Sequence, residues 1–259
     1  MCYRATVAAS EARATSFGQV ADDYDRLRPG PSQQALDWLV PGDCRIAVDL
    51  AAGTGLFARA LLQRVPQVIA VEPDDRMRAV LADRSPGVRA VAGRGEAIPL
   101  PAASADAVFV ASAWHWLDPD LAVPEIARVL RGGGRLGVIW ISRDNRTDWV
   151  AKLDGGRHLV AAQPDGGPRR RPHEVRLPEN APFVNAASMT FTSVRTMTVD
   201  DAVAWIGTYS AIFTAPEEER AAWLADARAG LLRRTDVNGL VDIPVRYSCW
   251  RADRTTRQS

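Results

Sequence analysis

Two features of the chain have the residue types and spacing to hold a nucleoside. Gly53 and Gly55 let the backbone bend tightly and let a ligand approach main-chain N–H groups. Glu72 follows Gly53 by 19 residues (72 minus 53), where a carboxylate can accept hydrogen bonds from both hydroxyls of a ribose. Asp49 precedes the loop and could orient it or face a cationic ammonium. These residues indicate a nucleoside site, and the alternative is a glycine turn without a ligand.

Short apolar runs alternate with helical segments on either side of these residues. Buried strands separated by helices favour a parallel sheet covered on both faces, which is a doubly wound α/β fold. In such a sheet the ligand lies at the carboxyl ends of the strands. The predicted strands are 45–50, 67–71, 88–92, 106–111 and 135–141, and the predicted helices are 56–64, 74–84 and 121–130.

The flanking segments predict three further parts of the chain. Residues 1–16 are expected to be weakly ordered, 17–44 to form a helical segment, and 45–259 to form the main domain. The Pro- and Gly-rich stretch 154–182 predicts a long loop or lid.

After that stretch, strands at 188–198 and 241–250 are expected to pair antiparallel at the sheet edge. Helices at 200–212 and 216–232 are expected between them. Helical spacing places Trp205, Tyr209 and Phe213 on one face of the first of these helices, where they favour a core role over a ligand pocket.

Composition disfavours several classes of protein. The net charge is +1, without the concentrated basic excess of a nucleic-acid binder. The three cysteines and three histidines are scattered, so their spacing predicts neither a disulfide framework nor a metal site. Residues 1–16 contain no apolar run of the signal-peptide type, and no stretch of the sequence approaches the roughly 20 apolar residues of a membrane span. We therefore expect a cytoplasmic protein with no membrane or nucleic-acid partner.

Five motifs in order resemble the class I S-adenosylmethionine-dependent methyltransferases, in particular the small-molecule branch that includes the trans-aconitate type. NAD enzymes do not carry this downstream set. The resemblance covers about 17–141 well and 186–251 loosely. The motifs are D-L-A-A-G-T-G at 49–55, V-E-P at 71–73 followed by Met77, G-R-G-E-A-I-P-L at 93–100, A-W-H-W at 113–116 and R-V-L-R-G-G-G at 128–134.

Three positions depart from the pattern of that family. Ala51 replaces its usual first glycine, and Arg94 stands where many relatives have an aspartate that holds the adenine amino group. Adenine recognition would then fall to the main chain around Gly95 and to Glu96. Gly132 replaces a proline and is expected to affect only a turn.

The resemblance implies a Rossmann-like methyltransferase fold with seven strands, in which the helical segment 17–44 lies over the cofactor. It also implies roles for particular residues. Tyr24 and Arg28 could meet the methionine carboxylate or an acidic substrate, or could simply pack and be solvated. His115 could serve as a base or have a structural role. The residues implied to bind the cofactor are Tyr24, Arg28, Asp49, Ala51, Gly53, Gly55, Glu72, Pro73, Met77, Gly95, Glu96 and Ala111, and those implied to line the substrate pocket are Trp114, His115, Trp116 and Trp140.

The expected activity is in-line transfer of a methyl group from S-adenosylmethionine to a small-molecule acceptor, by a monomer or a homodimer. Two alternatives stay open at this point. Gly53, Gly55 and Ala58 also satisfy the G-x-G-x-x-A fingerprint of an NAD(P)-dependent oxidoreductase. A non-catalytic protein that kept a nucleoside-binding fold is the other alternative.

Overall fold

The computed structural model describes residues 21–153 and 174–256. Seven strands form one sheet in the order β3-β2-β1-β4-β5-β7-β6. Strand β1 pairs in parallel with β2 and β4, and the parallel ladder continues to β3 and β5. The strands are β1 (Ile46–Leu50), β2 (Gln67–Glu72), β3 (Arg89–Ala92), β4 (Ala105–Ala111), β5 (Leu130–Arg143), β6 (Phe183–Thr198) and β7 (Leu240–Arg254).

Nine α-helices in the described part of the chain connect and flank these strands. Several begin at a side chain that accepts hydrogen bonds from the first turn: Asp74 accepts from the N–H groups of Arg76 and Met77, and Asp118 accepts from the N–H of Asp120. The helices are α1 (Ala21–Leu27), α2 (Gln33–Leu39), α3 (Leu56–Leu61), α4 (Asp75–Arg84), α5 (Pro119–Val129), α6 (Asp148–Lys152), α7 (Val199–Gly207), α8 (Ser210–Phe213) and α9 (Glu217–Leu232).

The last two strands run antiparallel to their neighbours. Thr196 bonds Asp242 and Asn185 bonds Asp253, so residue numbers rise along β6 as they fall along β7. The same relation holds between β5 and β7, where Arg135 pairs with Asp253. The predicted α/β fold, with a mostly parallel sheet and a C-terminal antiparallel pair, is confirmed.

Two compact units divide the described chain. The sheet unit comprises 29–141, 174–191 and 247–256, and the helical unit comprises 21–28, 142–153 and 192–246. In the sheet unit the side chains of β1, β2 and β4 form most of a continuous apolar core, together with one face of α5. In the helical unit α7 packs against α1 and α9. The predicted division at 16 and 44 stays a prediction.

The structure corrects two predicted elements. Residues 200–212 do not form one helix, because the chain breaks at Thr208 and Tyr209 between α7 and α8. The hydroxyl of Thr208 donates to the carbonyl of Trp205 at 2.7 Å, which satisfies an acceptor at the end of α7. Strand β5 begins at Leu130, so the three glycines at 132–134 belong to a strand and not to a preceding turn. The predicted segment 1–16 and most of the predicted lid, 154–173, lie outside the described residues.

Among the described helices, none is both long enough and apolar enough to cross a lipid bilayer.

Candidate cofactor site

The loop after β1 bends through three left-handed residues. The φ angles are +56° at Ala51, +57° at Gly53 and +84° at Gly55. Glycine adopts such angles freely, whereas an L-alanine at Ala51 is strained there. A Cβ on Gly55 would lie 2.8 Å from Cγ of Leu81, while one on Gly53 would meet nothing within 4 Å. The loop therefore packs closely behind Gly55 and leaves open space beside Gly53.

Glu72 joins this loop to the end of β2. Its Oε2 accepts a 2.8 Å hydrogen bond from the backbone N–H of Gly53, and its Oε1 accepts one of 2.9 Å from Asp74. The residue is only 6% exposed, and burial raises the pKa of its carboxyl, opposed by the two amides. The structure thus brings the predicted glycine turn and the predicted acid into direct contact.

Asp49 lies next to the end of β1 and is completely buried. Neither of its carboxylate oxygens has a hydrogen-bond partner among the described residues. Burial, with a smaller contribution from the charge of Glu72, raises the pKa of Asp49 to about 8. The Ala58 amide opposes this shift in part, although its geometry does not qualify as a hydrogen bond. A buried carboxyl without partners is costly unless a ligand supplies a donor or a positive charge.

The turn after β2 holds Pro73 and the start of α4. Arg78 donates to the carbonyls of Glu72 and Pro73 at 2.8 and 3.0 Å, which fixes the chain where it leaves the strand. Met77 is buried in α4, only 3% exposed. Arg78 was not among the predicted residues. The sequence of this helix does not show that the arginine side chain folds back to two backbone carbonyls.

Gly95 and Glu96 follow β3 in a short turn closed by a bridge between Arg94 and Ala97. A Cβ on Gly95 would lie 2.7 Å from Cδ2 of Leu117, so a larger residue here would displace the end of that side chain. Glu96 accepts a 3.0 Å hydrogen bond from the N–H of Asp118. One oxygen of Glu96 is therefore committed to the chain that precedes α5.

Ala111 ends β4 opposite Ile139 of β5. The next residue, Ser112, was not predicted and has a left-handed φ of +55°. Its N–H donates to the carbonyl of Ile139, and its hydroxyl accepts from Ile141. Strain of this kind clusters at functional sites, and here it holds the ends of two neighbouring strands together.

The predicted pocket residues after β4 and in β5 divide into two groups. Trp114 and Trp140 are buried in the apolar core of the sheet unit, which gives their rings a packing role. His115 is exposed, and its ring lies 4.7 Å from that of Trp116. Only this second pair presents side-chain surface to solvent at the carboxyl edge.

Tyr24 and Arg28, the two predicted residues of the N-terminal segment, belong to the helical unit. The Arg28 guanidinium lies 5.0 Å from the ring of Tyr24 and 3.8 Å from that of Tyr209. Tyr209 was predicted as core, and Arg143, which also stacks on it at 4.7 Å, was not predicted at all. Their approach depends on tertiary structure, which no local sequence pattern reveals.

A sheet in this strand order, with a glycine turn hydrogen-bonded to a carboxylate at the end of the next strand, is the architecture of an α/β nucleoside-binding enzyme. A family model described as a methyltransferase domain matches residues 48–138. An uncharacterized methyltransferase of Mycobacterium tuberculosis is 39% identical over 240 residues, covering 92% of this chain and 95% of that one. An uncharacterized methyltransferase-like protein of Schizosaccharomyces pombe is 30% identical over 203 residues, covering 76% and 78%.

Among solved structures, one provisionally described as a type II methyltransferase from Anaeromyxobacter dehalogenans matches with a TM-score of 0.64. It is 23% identical and covers 88% of this chain and 97% of that one, which shows the shared fold. The chain therefore belongs to the class I S-adenosylmethionine-dependent methyltransferases. The particular likeness to the trans-aconitate type stays a prediction.

Proposed function

We propose that the protein methylates a small-molecule acceptor by in-line transfer from S-adenosylmethionine held at the Gly53–Glu72 contact. One observation carries the proposal: Glu72 is fixed by two backbone amides yet keeps acceptor capacity on both oxygens. Each carboxylate oxygen can accept about two hydrogen bonds, and each accepts one from the chain. One position on each oxygen is then available to the two O–H donors of a ribose.

Asp49 fits the cationic part of the same cofactor. S-adenosylmethionine carries an ammonium and a sulfonium, and a buried carboxyl without partners gains a counter-charge from either. A bound cation would lower the raised pKa of Asp49 and favour its ionised form. The buried Thr54 hydroxyl, which has no hydrogen-bond partner within the described part of the chain, gives the same loop a further polar atom for a ligand.

The remaining residues of the proposed cofactor site contribute mainly through position. The open space beside Gly53 would let a ligand lie against the main chain, which a side chain at this position would prevent. Gly95 and Glu96 would contact the adenine from the turn after β3, and Ala111 would contact the cofactor from the end of β4. Pro73 and Met77 would form the side of the proposed cofactor site that follows β2. Met77 would contribute through its packing inside α4, where it is buried.

Methyl transfer requires little of the protein beyond positioning the cofactor and the acceptor. The cofactor supplies a methyl group on a sulfonium: the acceptor's nucleophile forms a bond to that carbon as the carbon–sulfur bond breaks and leaves a thioether. The chain must hold the acceptor close and collinear and exclude water. His115, exposed beside Trp116, would be the base for an acceptor that must lose a proton, and an already ionised acceptor needs none.

A small-molecule acceptor is favoured by the charge of the chain. The net charge of +1 provides no concentrated basic surface of the kind that nucleic-acid binding needs. No N/D-P-P-Y/F motif of nucleic-acid methyltransferases follows β4, where the chain reads Ser112-Ala113-Trp114-His115.

The test is a transfer assay with methyl-labelled S-adenosylmethionine and three separate acceptor pools: small metabolites, total RNA and DNA, and protein. We expect protein-dependent label in the small-molecule pool only. Label in nucleic acid or protein alone would contradict the proposed acceptor class. A Glu72→Ala variant, assayed in parallel, should lose transfer to the same pool.

A further inference from the structure

The seven-stranded sheet ends in two edge strands of very different length. Strand β3, at one end of the strand order, has four residues, and β6, at the other end, has 16. The part of β6 that belongs to the sheet unit is 183–191. No strand of the described chain lies beyond β6, so the backbone N–H and C=O groups on its outer side have no ladder partner there.

The β3 edge carries the usual protection against pairing with another chain, and the β6 edge does not. Proteins commonly protect an edge by shortening the strand or by placing charges along it. Strand β3 is short, begins at the exposed Arg89 and is followed two residues later by the exposed Arg94. In β6, residues 183–194 contain no Asp, Glu, Lys or Arg, and no Pro or Gly. The longer edge is therefore the less protected one.

A regular segment of this edge follows Asn185. Asn185 is the one residue of β6 with a positive φ, +56°, and its side-chain amide donates to Asp253 of β7 at 3.4 Å. The left-handed residue confines the regular part of the edge in the sheet unit to 186–191, where four of the six side chains are exposed. The exposed residues are Ala186, Ser188, Met189 and Thr190.

A second copy of the chain fits this edge because the segment complements itself. In a symmetric antiparallel pair, residues near the two-fold axis lie close to their own copies, so a charge there would meet the same charge. With no charged residue in 183–194, no register that pairs residues of this range sets like charges opposite each other. Recognition of an unrelated extended peptide would depend on pockets for alternate side chains, and small exposed residues such as Ala186 and Ser188 contribute little to a pocket.

We propose that two copies of the chain pair antiparallel through residues 186–191 at the outer edge of β6, which joins their two sheets into one. The backbone N–H and C=O groups of one edge bond those of the other. Met189, 45% exposed, becomes partly covered by the second strand. The contact is short, so we expect a dissociation constant on the order of 10 µM. The inference does not depend on the proposed function, because it uses no residue of the cofactor site.

The test is sedimentation velocity over a concentration series from about 1 to 100 µM, a range that brackets the expected dissociation constant. Ser188→Lys should weaken association about tenfold or more, because it sets two like charges near the axis. Ser188 is exposed, so the variant should keep its thermal stability and its binding of S-adenosylhomocysteine. Ala90→Lys, which places the same charge at an exposed position of β3, is the matched control and should not change association.

A charge reversal identifies the occupant of the edge. Ser188→Glu should weaken association as Ser188→Lys does, and an equimolar mixture of the two should associate more tightly than either alone, because opposite charges then meet. Restoration in the mixture requires that the same edge of two copies lie together. If Ser188→Lys does not fold, Thr190→Lys and Thr190→Glu carry the same comparison at another exposed position of the segment.

Three results would overturn the inference. The first is an unsubstituted protein that stays monomeric over the whole series, since the edge would then be open or covered by another segment of the same chain. The second is a dimer that the lysine and glutamate variants leave intact, or that Ala90→Lys weakens equally. The third is a mixture of the oppositely charged variants that associates no better than either variant alone.

Discussion

The backbone N–H of Gly53 and the carboxylate of Glu72 are joined by a 2.8 Å hydrogen bond across 19 residues of sequence. The bond ties the turn after β1 to the end of β2, and the N–H of Ala52 adds a second link by donating to the carbonyl of Val71 at 3.2 Å. The carboxylate therefore holds the loop in shape, and in the proposed site its remaining acceptor positions would bind the ligand. Four predictions follow from this loop and its neighbours.

Glu72→Gln should reduce affinity for S-adenosylhomocysteine by about tenfold or more, because one oxygen becomes an NH₂ donor that faces a backbone N–H. Isothermal titration calorimetry measures the change. Asp106→Asn is the matched control, since Asp106 also accepts two backbone amides, from Arg45 and Ile46, at the start of β1. Equal losses of affinity in both variants would show that only general stability had been measured.

Ala51→Gly should stabilise the protein by about 0.5 to 1 kcal/mol. An L-residue in the left-handed region costs roughly 1 to 2 kcal/mol of stability, which the substitution removes. The greater conformational freedom of glycine in the unfolded chain cancels part of that gain. Urea unfolding measures the difference. Ala103, at a φ of +50° in an exposed turn, should gain similarly as Ala103→Gly. A gain at Ala103 with none at Ala51 would mean that the surroundings of the loop already compensate its strain.

Asp49→Asn should become increasingly stabilising relative to the unsubstituted protein as pH rises from about 4 to 8. The pKa of Asp49 is raised to about 8 in the folded state, from an ordinary value of 3.8. Between those values the folded carboxyl keeps its proton and the unfolded one loses it, so stability falls by up to about 1.4 kcal/mol per pH unit and levels off above pH 8. Asparagine removes this slope. Free energies of unfolding measured from pH 5.5 to 8.5 check it, and parallel curves for the two proteins would refute the assignment.

Gly55→Ala should destabilise the protein by about 2 to 4 kcal/mol, because a Cβ there meets Leu81 at 2.8 Å in a left-handed backbone. Gly53→Ala should cost only about 1 kcal/mol, since the space beside it is open. Adding Leu81→Ala to Gly55→Ala should relieve part of the clash, which a double-mutant cycle of unfolding free energies detects as coupling. Simple additivity of the two substitutions would contradict this packing.

Much of the sheet could be predicted from local pattern alone. The strands from Ile46 to Ala111 are short apolar runs, and the face of β7 bearing Ile243, Val245 and Cys249 is buried as its alternation indicates. The break at Thr208 could not be predicted, because 199–213 carries helical apolar spacing throughout. What ends α7 there is a side-chain hydrogen bond to the Trp205 carbonyl, followed by contacts with an arginine 180 residues away in sequence.

The candidate site shows the same division between local and distant causes. Gly53 and Glu72 are identifiable because each occupies a fixed place relative to a strand end. The strained backbone of Ser112 and the stacking of Arg143 on Tyr209 leave no mark in the local sequence. Trp114 and Trp140 were predicted to line the substrate pocket, but their rings are buried in the apolar core. The local sequence does not show burial, so it could not distinguish a core role from a pocket role.

Calorimetric titration of the unsubstituted protein with S-adenosylhomocysteine, NAD and NADP tests the central claim most directly. We predict binding of S-adenosylhomocysteine alone, with a dissociation constant on the order of micromolar, and its loss in Glu72→Ala. Binding of a nicotinamide cofactor, or undiminished binding of S-adenosylhomocysteine by Glu72→Ala, would contradict a methyl donor held between Gly53 and Glu72.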